Sequence, residues 1–259
     1  MIDIKKIVIA CAVVTLCESY AVEIKTKCTL SDNDCQANLY GRLIQDLAEK
    51  GDKELGIPAL DPYIFKNHDV PLLGMVKLTI KDGKAIGLKN CHSTSFKTDF
   101  QAFRTHVDFT CDSFHIESKN TLSTLPAFDA LLGGLKIHGD GEGTLDFGKF
   151  KVISDFAFEI VKLDDGEYHI MLKPEESTHS LEVGGKVSFD FSNVFVGSQD
   201  ISTVLTAILN ENWPAIHKIF GQTVLDHIMG VLYENIQKFF NGVPAKEFIS
   251  DDLSKYVKS

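Results

Sequence analysis

The sequence predicts an α+β fold in which a long C-terminal α-helix is wrapped by a strongly curved antiparallel β-sheet. Many segments between residues 70 and 195 have an apolar residue at every second position, which is the period of half-buried β-strands. Between residues 198 and 242 the apolar spacing becomes helical. No segment between the strands has a helical pattern long enough for a parallel crossover, so sequential antiparallel hairpins, a meander, are expected.

The first 21 residues are expected to be a cleaved secretory signal peptide. Lys5 and Lys6 supply a basic start, residues 7–17 are apolar, and Ser19 and Ala21 place small residues where a signal peptidase cuts. The apolar run is too short for a membrane-spanning helix, and an uncleaved anchor is the alternative. We expect residues 22–259 to form a single domain with no membrane span.

Four cysteines follow the expected cleavage site and predict two disulfides. Cys28, Cys35, Cys91 and Cys111 form an even set in a chain expected to be secreted. Three pairings are possible, and the local one, Cys28 with Cys35 and Cys91 with Cys111, is the one we expect. Zinc binding is the competing interpretation. It requires Cys or His pairs at ligand spacing, which the sequence after residue 21 does not contain, so we expect no metal site.

Residues 31–51 have the pattern of an amphipathic helix. Ser31 is a candidate N-cap and Gly51 is a stop signal. Leucines recur at four-residue spacing, at Leu39, Leu43 and Leu47.

The C-terminal region predicts a short helix followed by a long one. Asp200 can cap residues 201–209, and Pro214 suits the first position of the next helix. Its apolar stripe begins at Ile216 and continues for about 26 residues, or about 40 Å, to Asn241 and Gly242. The helix is apolar over most of its circumference, so other elements must enclose it, and the strands are the available partner.

Five short motifs are spread over the whole expected domain. They are Cys28 and Cys35 with six residues between them, LGIPALDP at 55–62, GDGEG at 139–143, NENW at 210–213, and Val243-Pro244 followed by Phe248. In this order and spacing they resemble the insect haemolymph juvenile hormone-binding/takeout family.

This resemblance implies a ligand-carrier domain similar to one barrel of the tubular lipid-binding proteins, with an apolar tunnel. It implies a secreted carrier in a haemolymph-like extracellular fluid. Its small hydrophobic ligand would be held non-covalently, and could be a terpenoid hormone, a carotenoid or other pigment, or an acyl lipid. Cys28 and Cys35 match the family's N-terminal disulfide. Cys91 and Cys111 match no second bridge of the hormone carriers proper, which favours a takeout-like or pigment-binding relative.

Phenylalanine is the candidate tunnel lining, because ten of the 18 phenylalanines lie between residues 96 and 158. Ordinary core packing is the alternative for each of them. The expected ligand contacts on strands and on the long helix are Phe103, Phe109, Phe156, Phe158, Phe220 and Val224. The resemblance makes Trp213 an anchor for the start of the long helix, with ligand contact as its second possible role. Tyr63, Tyr168 and inward-facing Ser or Thr residues are unranked candidates for orienting the ligand.

Composition and motifs argue against other classes of function. The formal net charge of −10 disfavours binding to nucleic acid or to anionic lipid. The chain contains no GxSxG, Walker, HExxH or Rossmann motif, so neither an enzyme nor a resident cofactor is expected beyond a bound hydrophobic ligand. The alternative function is a lipid-surface or defence protein of the tubular lipid-binding class. A receptor or lipoprotein partner is left open.

Overall fold

The computed structural model of the protein describes residues 24–72, 75–126, 133–134 and 136–257. The expected signal peptide, residues 1–21, lies outside the described residues.

Three α-helices are described, and each begins and ends close to its predicted bounds. They are α1 (Asn33–Lys50), α2 (Ser202–Glu211) and α3 (Trp213–Gly242). The expected N-cap of α1 is wrong by one residue, because Asp32 and not Ser31 accepts the main-chain N–H of Cys35, at 2.9 Å. A carboxylate at this position also faces the positive end of the helix dipole. Gly51 ends α1 with a positive φ of 66°, which favours glycine.

Twelve strands are described, and all of their pairings are antiparallel. They are β1 (Tyr63–Leu72), β2 (Val76–Ile86), β3 (His92–Asp99), β4 (Arg104–Cys111), β5 (Phe114–Thr124), β6 (Ile137–Phe147), β7 (Phe150–Lys162), β8 (Tyr168–Leu172), β9 (Thr178–Val183), β10 (Val187–Phe191), β11 (Val194–Val196) and β12 (Gln199–Asp200).

The strands form a seven-stranded and a five-stranded sheet, and neither closes into a barrel over the described residues. The first has the order β1-β2-β5-β6-β11-β12 with β10 also on β6, and the second has the order β3-β4-β7-β8 with β9 also on β7. The predicted pure meander is therefore wrong. The β3–β4 hairpin leaves the first sheet, and the chain returns to it at Phe114 so that β5 can pair with β2.

The predicted combination of a long C-terminal helix with antiparallel sheet is confirmed. The long helix α3 has 30 residues and packs against β8, β9 and β10. Its buried positions include Leu225, Met229 and Tyr233, one turn apart along one face. Further along, Phe239 and Phe240 join a second core cluster with the leucines of α1 and with Phe248 near the C-terminus. The helix thus connects two parts of one interior.

Both local cysteine pairs are bonded. Cys28–Cys35 ties the incoming chain to the first turn of α1, with a Cα–Cα distance of 5.7 Å. Cys91–Cys111 joins the start of β3 to the end of β4, with a Cα–Cα distance of 4.2 Å. Because β3 and β4 are already paired, this second disulfide fixes the edge of the five-stranded sheet.

Candidate functional site

The candidate site is a cavity lined by the five-stranded sheet, α1 and α3. Strands β3, β4 and β7 contribute the alternating residues of one face, and Phe114 and Phe147 of the other sheet complete the wall. On α3 the lining runs from Val224 to Phe240, a span of about 24 Å at 1.5 Å per residue. The site is therefore elongated along α3.

The lining is almost entirely apolar. No Asp, Glu, His, Lys or Arg side chain is among the described lining residues. The cavity has a volume of about 180 Å³. On the same measure, a single buried water requires roughly 10–15 Å³. The cavity therefore has room for a molecule of many heavy atoms, and its wall offers apolar contact rather than acid–base or nucleophilic chemistry.

Four of the residues predicted to contact a ligand line this cavity. Phe109 on β4, Phe156 and Phe158 on β7, and Val224 on α3 are brought together in its wall. The strand register explains part of this set: Thr105 of β4 lies opposite Phe156, and each faces the cavity. Whether any of these residues touches a ligand remains a prediction.

The other three predicted residues lie outside the described lining. Phe103 precedes β4 with a φ of 54°, so the strand alternation that begins at Arg104 does not include it. Its ring packs edge-on against Phe158 at 5.9 Å, behind the wall. Trp213 and Phe220 are partly buried near the start of α3, before its lining begins at Val224.

Sequence reasoning missed the contribution of α1 to the wall. Tyr40 and Ile44, four residues apart, line the cavity beside the predicted stripe of leucines. The Tyr40 ring stacks on Phe96 of β3 with centroids 5.1 Å apart, and meets Phe240 of α3 edge-on at 6.5 Å. Tyr40 and Ile44 form a second apolar stripe next to the leucines, and this stripe was the feature of the sequence that could have predicted the contribution of α1.

Few polar groups are among the described lining residues, and none of those few is charged. Burial raises the pKa of Tyr40 well above its usual range, so its phenol stays protonated. Thr98 and Thr105 have their hydroxyl oxygens 3.2 Å apart across β3 and β4. Ser154 of β7 is 1% exposed, and its hydroxyl has no hydrogen-bond partner in the described part of the chain. Neither Tyr63 nor Tyr168 belongs to the described lining.

The loop between α1 and β1 is held to the cavity wall by a buried carboxylate. Asp61, in the LGIPALDP motif, accepts the main-chain N–H groups of Gly87 and Lys89 at 3.0 and 2.9 Å. These bonds flank Leu88, which lines the cavity. The motif therefore positions one part of the wall.

A long helix packed with antiparallel sheet around an apolar cavity is the architecture of the tubular lipid-binding class. The sequence model of the family described as haemolymph juvenile hormone binding protein matches residues 7–250, and the chain belongs to this family. Members of this family are binding proteins, and family membership indicates a carrier of hydrophobic ligands.

The structural comparison agrees with this assignment. The crystal structure of Takeout 1 from Epiphyas postvittana superposes with a TM-score of 0.73 at 24% sequence identity, over 87% of this chain and 99% of that one. At that identity the similarity shows the shared fold. No curated protein matches the sequence. Within the described residues, no helix has the length and apolar content needed to cross a membrane.

Proposed function

We propose that this protein is a secreted carrier that binds one small hydrophobic ligand non-covalently in the elongated cavity. The observation that carries the proposal is the cavity wall itself, apolar and without a charged side chain over its described residues. Apolar burial contributes about 25 cal/mol per Å². A ligand that buries about 300 Å² of apolar surface therefore gains about 7 kcal/mol before the cost of association.

The ligand classes that suit this wall are a terpenoid hormone, a carotenoid or other pigment, and an acyl lipid. The aromatic rings of Phe109, Phe156 and Phe158 favour flat or unsaturated chains through dispersion and offset stacking. The absorption spectrum of native protein separates the classes first, because a carotenoid carrier is coloured and a carrier of terpenoids or acyl chains is not.

The carrier function is tested by extracting purified native protein with organic solvent and analysing the extract by mass spectrometry. We expect one hydrophobic compound at close to one molecule per protein. Binding of terpenoids, carotenoids and acyl chains to the delipidated protein is measured in parallel. An empty extract together with no binding to any of these compounds would refute the proposal.

Secretion is supported by the predicted signal peptide and by two disulfides, which persist in oxidising compartments. Expression of the full chain in cultured insect cells tests it. We expect the protein in the medium, with an N-terminus at Val22. Retention in the cell with an intact N-terminus would contradict this proposal and favour an uncleaved anchor.

A lipid-surface function is the second candidate, favoured by three exposed apolar side chains. Val204 and Ile208 of α2 are 60% and 51% exposed, and Ile219 of α3 is 53% exposed. Sedimentation with neutral and anionic vesicles distinguishes the two functions. A carrier stays in the supernatant with its ligand, whereas a surface protein sediments with the vesicles. If the protein acts at a lipid surface, the double variant Val204→Ser/Ile208→Ser no longer sediments with them.

A further inference from the structure

We propose that the hydroxyl of Tyr40 is the hydrogen-bond donor that orients the ligand, by binding an uncharged oxygen of the ligand at the α1 end of the cavity. This inference rests on the proposed carrier function and adds two properties to it. The ligand carries an ester, ketone, ether or alcohol oxygen near one end, and an ionised head group is rejected.

Tyr40 is held in place by its ring and left free at its hydroxyl. The ring stacks on Phe96 at 5.1 Å and meets Phe240 and Phe248 edge-on at 6.5 and 6.1 Å. These contacts fix the phenol against the wall from three sides. No hydrogen bond to its hydroxyl is found among the described residues. Burial raises the pKa of this phenol.

An unpaired phenol in an apolar cavity costs free energy unless a ligand supplies the partner. A buried hydroxyl without a hydrogen bond costs roughly 1–3 kcal/mol. Tyr40 is half-buried and belongs to the cavity wall, so a ligand in the cavity lies against this side chain. A ligand oxygen placed there removes the cost, whereas a pure hydrocarbon leaves it in place.

The hydroxyl groups of the sheet are less available than that of Tyr40. Thr98 and Thr105 already pair with each other at 3.2 Å. The Ser154 oxygen lacks a partner, but it has almost no accessible surface although the residue belongs to the lining. Ser154 is the rival donor.

The absence of charge in the described lining determines which oxygen can bind. An ionised carboxylate inside the cavity would lose its hydration without meeting a Lys, Arg or His side chain. Burying an unpaired charge costs far more than burying an ester or a hydroxyl. The site therefore discriminates between a neutral acyl ester and the corresponding free acid.

The experiment compares four twelve-carbon compounds that differ at one end: methyl dodecanoate, dodecan-1-ol, dodecanoate and dodecane. Their displacement of the fluorescent probe N-phenyl-1-naphthylamine from delipidated full-length protein is measured at pH 8. Wild-type protein is expected to bind the ester at least tenfold more tightly than the ionised acid. Tyr40→Phe keeps the ring contacts and removes only the hydroxyl. We therefore expect its affinity for the ester and the alcohol to be roughly two- to tenfold weaker than that of wild type, and its affinity for dodecane to be unchanged.

The matched control is Tyr168→Phe, because Tyr168 lies on β8 outside the lining and loses the same single oxygen. It is expected to leave all four affinities unchanged. Equal losses for ester and dodecane in Tyr40→Phe would overturn the inference, as would an ester-specific loss in Ser154→Ala with none in Tyr40→Phe. If wild-type protein binds neither the probe nor any of the four compounds, the carrier function itself fails. If it binds them without distinguishing ester from acid, only this inference fails.

Discussion

His169 and Phe240 join the five-stranded sheet to the end of the long helix. The buried His169 Nδ1 lies 2.7 Å from the main-chain oxygen of Phe240, and its Nε2 lies 2.9 Å from the Asp165 carboxylate. Phe240 also lines the cavity and meets the ring of Tyr40, so this bond positions the α1 end of the cavity.

Replacing His169 by alanine is expected to lower the free energy of unfolding by about 2–3 kcal/mol. The substitution removes a 1%-exposed side chain and leaves the buried carbonyl of Phe240 without its partner. Urea denaturation followed by circular dichroism measures the change. His92→Ala, at an exposed position of β3, is the matched control and is expected to shift the midpoint little. Equal shifts in both variants would mean that the bond to Phe240 contributes nothing.

The two disulfides are expected to contribute unequally to stability. Cys91–Cys111 closes a segment with a sequence separation of 20, and Cys28–Cys35 one of 7. Chain-entropy estimates give about 3 kcal/mol for the first and about 2 kcal/mol for the second.

Unfolding of the two double alanine variants tests this order. Cys91 and Cys111 also line the cavity, so Cys91→Ala/Cys111→Ala is expected to weaken ligand binding as well. Cys28→Ala/Cys35→Ala is expected to lower stability while the residual folded protein binds normally. The reverse pattern, with binding lost only in the second variant, would contradict the assignment.

Periodicity predicted the parts of the fold and site that depend on local chain geometry. An alternation along β7 was enough to place Phe156 and Phe158 on one face, and the strand delivers both to the cavity. Phe103 obeys the same alternation in sequence, but its positive φ puts it outside β4. A positive φ at the residue before a strand cannot be recognised from the hydrophobic pattern of the sequence.

The remaining features depend on contacts between distant segments. Tyr40 becomes part of the site because α1 packs across β3 and meets α3. The spacing of apolar residues within 31–51 does not predict which elements α1 packs against. Similarly, the expected meander fails because β2 pairs with β5. These two strands are separated in sequence by the β3–β4 hairpin. Val224 belongs to the described lining and Phe220 does not, since the position of the sheet decides where the lining of α3 begins.

Acid is expected to weaken the contact between β9 and α3. Asp226 accepts a hydrogen bond from His179 at 2.8 Å, and this bond, followed by one from Gln222, lowers the pKa of the Asp226 carboxyl below its ordinary value of 3.8. A carboxyl whose pKa is lower in the folded state than in the unfolded state stabilises the fold at pH values above the ordinary pKa. That contribution is lost as the pH falls through the folded-state pKa.

Thermal melts of wild-type protein and Asp226→Asn between pH 2 and 7 test this dependence. The wild type is expected to be the more stable of the two at pH 5–7, and the difference should vanish at the acid end of the series. Asp112→Asn, at an exposed position between β4 and β5, is the control and should follow the wild-type curve. A difference between wild type and Asp226→Asn that grows toward low pH would have the wrong sign.

Filling the cavity at the end opposite Tyr40 is expected to weaken binding strongly without unfolding the protein. Val224 lines the cavity on α3, so Val224→Trp places a large side chain in space that the ligand needs, and affinity should fall at least tenfold for ester and hydrocarbon alike. Ile219→Trp adds a tryptophan to the same helix at a 53%-exposed position and is expected to bind normally. Probe displacement with methyl dodecanoate and dodecane measures both variants, with circular dichroism to confirm the fold. Unchanged affinity in a folded Val224→Trp protein would mean that the ligand does not extend to this end of the cavity.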